Sequence, residues 1–204
     1  MIKSYYTFDT HEIEQCSTKK NLNGTSFIPY KNSNYNGVFF QTPLSKIINI
    51  ETNDKKRFFT ILPVNDLEKF FNFNVEIDNY TKNSIKDLSI TLKNENYISP
   101  RKLSDDIQNP LIFKYKANLN SEEKIDCCIY DQDKNILEDN LKIGDKVYFI
   151  LKLSGTLYNN HKIVPCWTIE QVKLINEDLN NKEIIFNECM IMDDNETNIE
   201  VNDF

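Results

Sequence analysis

Arginine, alanine and glycine are scarce in this chain of 204 residues: arginine occurs twice, alanine once and glycine four times. The low glycine content and the absence of a glycine or proline period exclude a collagen-like or linker-rich protein. Because arginine is so rare, lysine must supply nearly all of the 24 positive charges. Any basic binding surface on this protein is therefore expected to be built from lysine.

Long apolar runs are also missing. No segment approaches the roughly 20 apolar residues that span a bilayer, and residues 1–15 lack the apolar core of a secretory signal. Hydrophobic residues still make up 40% of the chain and aromatic residues 12%, which is enough for a packed core. We therefore expect a protein with no membrane association that is not secreted, with one principal core.

The signatures of common catalytic sites are absent. The chain has no glycine-rich phosphate loop, no HExxH, no GxSxG and no CxxC motif. Five cysteines and two histidines, without paired spacing, do not predict a zinc site or a disulfide framework. The acidic pairs Asp105-Asp106 and Asp131-x-Asp133 are typical of turns. These absences predict a protein that is not an enzyme and has no metal or cofactor.

The formal net charge of −7 is unevenly distributed. Residues 187–204 hold six acidic residues and no basic residue, so the remaining chain is nearly neutral. This composition predicts a flexible acidic C-terminal tail. The tail ends on an aromatic side chain with a free carboxylate, a combination that a partner protein can capture. The predicted partner-binding residues are Asp193, Asp194, Asp203 and Phe204; the alternative is a solvated terminus without a task.

Short alternating segments bounded by Asn, Gly, Asp and Pro predict a mainly β protein. The predicted strands are Gly37–Thr42, Lys56–Leu62, Leu88–Lys93, Leu111–Asn118, Ile125–Asp131, Lys146–Gly155 and Lys162–Leu174. A helix is predicted from about Asp66 into the seventies or to Lys82. Together they predict an OB-fold-like antiparallel barrel with one packed helix, as a single domain over residues 1–186. Residues 1–36 form an N-terminal extension whose structure the sequence leaves open.

Aromatic side chains interleaved with basic ones are the main functional signal. Single-stranded nucleic acid is bound by cations that contact the phosphates and by rings that stack on the bases. The candidate nucleic-acid-binding residues are Lys55, Lys56, Arg57, Phe59, Tyr97, Arg101, Lys102, Lys114, Tyr115, Lys116, Tyr158 and Lys162. In a β-rich domain many of these rings would instead belong to the core.

Several segments, taken in order, carry a resemblance to a known family. They are Gly37–Pro43, Leu67–Phe71, Phe113–Lys116, Ile129–Asp131, Ile143–Lys146, Cys166–Lys173 and the ending Asp203-Phe204. In these segments the chain resembles the OB-fold single-stranded DNA-binding proteins of nucleocytoplasmic large DNA viruses, a group similar to the replication single-strand binder of short-tailed phages. The resemblance covers residues 37–175 and the tail.

The resemblance implies a single-stranded DNA-binding protein of viral DNA replication, recombination or repair. It implies that the acidic tail recruits a polymerase, helicase or primase, and that the protein works in the host cytoplasm, in a viral replication compartment, or in the nucleus. Edge-strand pairing or tail exchange would permit a homodimer. The alternative function is a β-rich viral structural or protein-interaction module without nucleic-acid binding. A metal-dependent nuclease would need a cluster of acids that the sequence does not show.

Overall fold

A computed structural model describes residues 2–4, 9–20, 24–32, 35–85, 97–103, 111–159 and 162–175. The predicted strand Leu88–Lys93 and the acidic tail, with Asp193, Asp194, Asp203 and Phe204, lie outside the described residues. Among the described residues, no helix is both long and apolar enough to cross a membrane.

Strands dominate the described chain and one α-helix, α1, spans Leu67–Asn83. A short 3-10 helix covers Thr10–Glu12. The strands are β1 (Ile2–Ser4), β2 (Glu14–Gln15), β3 (Lys19–Lys20), β4 (Ser26–Asn32), β5 (Tyr35–Asn36), β6 (Val38–Gln41), β7 (Ser45–Asn53), β8 (Lys56–Pro63), β9 (Arg101–Leu103), β10 (Leu111–Asn118), β11 (Cys128–Tyr130), β12 (Ile136–Leu137), β13 (Lys146–Asn159) and β14 (Lys162–Ile175). The predicted mainly β architecture with one packed helix is confirmed, but the sheet does not close into the predicted barrel.

Alternation of side chains explains why these segments form strands. In β10, Phe113, Tyr115 and Ala117 are buried while Lys114 and Lys116 lie on the opposite face. Successive side chains of a strand point to opposite faces, so one face of β10 enters the core and the other meets solvent. The bounds predicted for this strand, Leu111–Asn118, are those observed.

The strands follow the order β12-β11-β14-β13-β7-β8-β10-β9. The sheet is not closed, because β10 and β14 are not joined by a ladder of paired residues in the described chain. We call the gap between β10 and β14 the seam. Residues 97–103, called the strip, cross it: the backbone N of Ile98 donates to the O of Ile163 in β14 at 2.9 Å, and the N of Lys114 in β10 donates to the O of Pro100 at 2.9 Å.

Helix α1 packs its apolar side against the inner face of the sheet. Phe70, Phe73 and Ile77 are buried, and the Phe70 ring centroid lies 4.8 Å from that of Phe113. Burial of each such side chain contributes roughly 1.5–3 kcal/mol to the free energy of unfolding. The residue before the helix, Asp66, has φ of 52° and makes no side-chain capping bond.

The N-terminal extension contributes to the same sheet. Strand β4 pairs with β13, and its residues Ile28 and Tyr30 are buried. A Cβ atom built on Gly155 of β13 would lie 2.2 Å from the backbone O of Ile28, so the close approach of these strands requires glycine. The core therefore begins upstream of the segments that carry the family resemblance.

Candidate nucleic-acid interface

A surface cavity of about 330 Å³ lies at the seam. It is bordered by β8, the strip, β10 and β14. The lining residues are Lys56, Phe58, Ile98, Ser99, Pro100, Lys102, Lys114, Tyr115, Lys116, Val164, Pro165 and Trp167. The incomplete closure of the sheet thus produces a concave site where four parts of the chain meet.

Strand register places the basic side chains on one face. Lys116 of β10 pairs with Phe58 of β8, and Ile112 of β10 pairs with Lys102 of β9. Directly paired residues share a face, and so do residues two apart on one strand. Lys56, Phe58, Lys102, Lys114 and Lys116 therefore lie together on the outer face beside the seam.

Among the described residues, the lining contains four lysines and no acidic residue. Lys56, Lys102 and Lys116 form no ion pair with any acid in the part of the chain that the structure describes. Lys114 does have a partner, since its Nζ lies 2.6 Å from Oε2 of Glu51, but both side chains are partly exposed. Such an exposed ion pair is weak and can be exchanged for another anion. The cavity therefore has an excess of positive charge.

Crowding of cations shifts the titration of one lysine. Burial lowers the pKa of Lys116, and the neighbouring charge of Lys56 lowers this pKa further. The thiol of Cys166 across the seam is affected in the opposite sense: burial raises its pKa, and Lys116 and Lys56 oppose that rise. Lys56, Lys116 and Cys166 are therefore close enough to interact, and a bound anion would relieve the repulsion between the two lysines.

The three aromatic lining residues differ in exposure. Phe58 is half-buried, and Nζ of Lys114 lies 5.2 Å from its ring centroid. Tyr115 is buried, and its hydroxyl donates to Oδ1 of Asn74 at 3.0 Å. Trp167 is also buried, and its Nε1 has no hydrogen-bond partner in the described chain. Phe58 is therefore the lining ring that a base could stack on.

Several residues predicted for the interface lie elsewhere. Phe59 is in the core at 0% exposure, where its ring packs 5.7 Å from that of Phe149. The structure thus gives Phe58, and not Phe59, a surface position, because adjacent strand residues face opposite sides. Arg57 is bonded internally to Asp139 at 2.6 Å. Tyr115 is among the lining residues, but its side chain is buried.

The remaining predicted residues fall into two groups. Tyr97 and Arg101 belong to the strip, but both side chains bond to Asp78 of α1. Lys55, Tyr158 and Lys162 are not among the described lining residues. Lys55 lies in the turn between β7 and β8, and Tyr158 and Lys162 lie at the ends of β13 and β14 where these strands meet in a hairpin. The structure therefore brings together Lys56, Lys102, Lys114 and Lys116 from the predicted set.

Other lining residues were not predicted from sequence. Phe58 could have been found, because it is two residues from Lys56 and so shares its face. Ile98, Ser99 and Pro100 carry no such signal, since their position depends on how the strip crosses the seam. No group of three or more potential metal ligands occurs among the described residues.

No family model matches the chain, and no curated protein is similar to it in sequence. Solved structures are similar in fold. The single-stranded DNA-binding protein gp2.5 of bacteriophage T7 has a TM-score of 0.47 and 14% identity, over 71% of this chain and 98% of that one. The C-terminally truncated single-stranded DNA-binding protein of bacteriophage Enc34 has a TM-score of 0.49 and 13% identity, over 81% of this chain and 97% of that one.

Both of these structures are phage proteins, and the predicted resemblance included a phage single-strand binder. The resemblance to proteins of nucleocytoplasmic large DNA viruses stays a prediction.

Proposed function

We propose that this protein binds single-stranded DNA without catalysing a reaction on it, and that the seam cavity is part of its binding surface. The observation that carries this proposal is the convergence of four lysines and the Phe58 ring on one concave site, with no acid among its described lining residues. Phosphate groups attract such a cluster, and release of their counterions supplies sequence-independent affinity.

The outer position of Phe58 suggests how an unpaired strand is held. A base can stack on the ring while Lys114 and Lys116 contact the phosphates on either side of that nucleotide. Stacking contributes roughly 1–3 kcal/mol per base and is tolerant of sequence. A base inside a duplex has no free face for this contact, so the arrangement favours unpaired strands.

The charge of Lys116 has a specific role in this proposal. The free protein carries Lys116 half-buried beside Lys56, a position that disfavours its ammonium form. A phosphate placed between the two lysines would stabilise both ammonium groups. The strongest phosphate contact is therefore expected at this pair.

We further propose that the protein works in viral DNA replication, recombination or repair, in a replication compartment of the host cytoplasm or in the nucleus. The acidic tail would recruit a replication protein through Asp193, Asp194, Asp203 and Phe204, and the chain could act as a homodimer. Six negative charges in residues 187–204 support a tail that competes with DNA for the lysines.

The proposed binding is tested by titrating the full chain with a dT oligonucleotide at two salt concentrations while following fluorescence. Trp167 is the single tryptophan and lines the cavity, so it reports on the site directly. We expect quenching that weakens steeply as salt increases. No binding at low salt would reject the proposal and favour a protein-interaction module instead.

The tail is tested separately by removing residues 187–204. We expect the truncated chain to bind oligonucleotides more tightly at low salt and to lose contact with replication partners. Equal affinities of the full and truncated chains at low salt would contradict competition by the tail, while leaving DNA binding by the cavity intact.

A further inference from the structure

The strip, residues 97–103, forms one wall of the seam cavity. Ile98, Ser99, Pro100 and Lys102 line the cavity from this side. The strip is tied by backbone bonds to β14 through Ile98 and to β10 through Pro100. Its position therefore sets how far Lys102 lies from the lysines of β8 and β10.

A single buried carboxylate of helix α1 bonds to the strip. Asp78 of α1 is 1% exposed. Its Oδ1 accepts from the hydroxyl of Tyr97 at 2.6 Å. Its Oδ2 accepts from the hydroxyl of Ser99 at 2.8 Å, and from Nε and Nη2 of Arg101 at 2.9 and 2.5 Å. Three alternate residues of the strip thus bond to one side chain of the helix.

Two ring contacts support the same attachment. Nζ of Lys82, one turn along α1 from Asp78, lies 4.7 Å from the ring centroid of Tyr97. The guanidinium of Arg101 lies 4.9 Å from the ring centroid of Phe71, also in α1. The side chains of Tyr97, Ser99 and Arg101 are thus held by the helix, while Ile98, Pro100 and Lys102 line the cavity.

We propose that Asp78 is a positioning residue for the nucleic-acid site: it holds the strip across the open seam and thereby builds the wall that presents Lys102 to the strand. Helix α1 then has a second task besides filling the core. The inference rests on the proposed function of the cavity, and it adds a dependence of DNA binding on a residue that touches no DNA.

The test uses Tyr97→Phe, which removes one hydroxyl bonded to Asp78 and keeps the ring. We expect faster backbone hydrogen exchange in residues 97–103 and affinity for a dT oligonucleotide lower by about fivefold. The slope of affinity against salt should stay unchanged, because no lysine is lost. Lys102→Ala should instead reduce that slope by about 0.7.

Tyr80→Phe is the matched control. Tyr80 is a residue of α1 whose hydroxyl donates to the backbone O of Ile13 at 2.9 Å, and Tyr80 does not line the cavity. We expect this variant to bind the oligonucleotide like the wild type. In the double variant Tyr97→Phe/Lys102→Ala, the fold-loss of oligonucleotide affinity should be smaller than the product of the two single fold-losses. A Lys102 that is already misplaced contributes less to affinity, so removing it costs less.

The outcomes separate the two claims. If the wild type binds no oligonucleotide, the proposed function fails and takes this inference with it. If the wild type binds and Tyr97→Phe binds equally well despite faster exchange in the strip, the positioning role of Asp78 is overturned. Equal losses of affinity in Tyr97→Phe and Tyr80→Phe would also overturn the positioning role of Asp78. They would show that loss of protein stability in general, and not displacement of the strip, weakens DNA binding.

Discussion

Basic residues that are adjacent in the sequence have opposite fates on the two sides of the sheet. Lys56 faces the seam cavity, whereas Arg57 bonds to Asp139 at 2.6 Å and to the backbone O of Glu123 at 3.0 Å. On the strip the same split recurs, since Lys102 lines the cavity and its neighbour Arg101 bonds to Asp78. Both arginines of the chain therefore form internal ion pairs, and lysines supply the positive charge that lines the cavity.

The difference follows from the chemistry of the two side chains. The planar guanidinium offers several donors in a fixed arrangement and suits a buried carboxylate, whereas the lysine ammonium is a mobile point charge. Basic residues that follow one another in a strand thus do not form a single binding surface. Alternate residues face inward and contribute to stability, and the residues between them are available to a ligand.

The largest difference between inward-facing and outward-facing neighbours is expected at the two adjacent phenylalanines of β8. Phe59→Ala should lower the free energy of unfolding by about 3–5 kcal/mol, because it leaves a cavity in the core. Phe58→Ala should lower stability by only about 1 kcal/mol, because the ring is half-buried. It should weaken oligonucleotide binding by about 1–3 kcal/mol. Urea denaturation and fluorescence titration measure the two quantities. Loss of binding in folded Phe59→Ala with none in Phe58→Ala would reverse the assignment.

Replacing Arg57 or Lys56 by methionine tests whether these adjacent cations serve stability and DNA binding, respectively. Arg57→Met leaves Asp139, which is 5% exposed at its side chain, without its cation. We expect the free energy of unfolding to fall by about 3 kcal/mol, with unchanged oligonucleotide affinity.

Lys56→Met is the matched variant. It should unfold like the wild type and bind about fivefold more weakly near 0.1 M salt, which is the contribution of one released counterion. Similar losses of stability in both variants, measured by urea denaturation, would contradict the division of roles.

Much of this arrangement could be predicted from alternation within single strands. The bounds of β10 and the separation of Lys114 and Lys116 from Phe113 and Tyr115 followed from the sequence pattern. In the run from Lys55 to Phe59 the choice of Phe59 for the surface was wrong, because two adjacent rings leave the phase of alternation undecided.

The rest depends on contacts between distant parts of the chain. The seam exists because β10 and β14 are not paired along their length, which no local pattern reveals. The attachment of Arg101 to Asp78 joins residues 23 positions apart, so the sequence alone presents Arg101 as a free cation. Ser99 and Pro100 enter the cavity wall for the same reason.

The pH dependence of binding tests the crowding of Lys116. Folding lowers the pKa of this lysine below its usual 10.5, so the stability of the free protein gains as pH rises from the lowered pKa toward 10.5. DNA binding depends on the ammonium form and should therefore weaken over this same range, where an uncrowded lysine would remain charged.

Lys116→Arg supplies the reference, because arginine stays charged throughout. We expect the wild type to lose affinity relative to this variant by a few-fold as the pH rises toward 10.5, the usual pKa of lysine. Parallel affinity curves for the two proteins would show that Lys116 is not a crowded contact to phosphate.

The smallest expected effect concerns Lys114, the cavity lysine that is paired with Glu51. Glu51→Gln removes the ion pair with Lys114, in which the two side chains are 29% and 52% exposed. Stability should change by less than about 0.5 kcal/mol, while oligonucleotide affinity should rise about twofold as Lys114 is freed. Weaker binding by this variant would show that Glu51 holds Lys114 in its working position.

The most direct measurement of the central claim is the salt dependence of oligonucleotide affinity in two double variants. Lys56→Gln/Lys116→Gln removes the crowded cavity pair, and Lys46→Gln/Lys142→Gln removes two exposed lysines outside the cavity lining. Both variants lose the same charge. We predict that the salt slope falls by about 1.4 in the first variant and is nearly unchanged in the second. Equal slopes in the two variants would contradict a binding site at the seam.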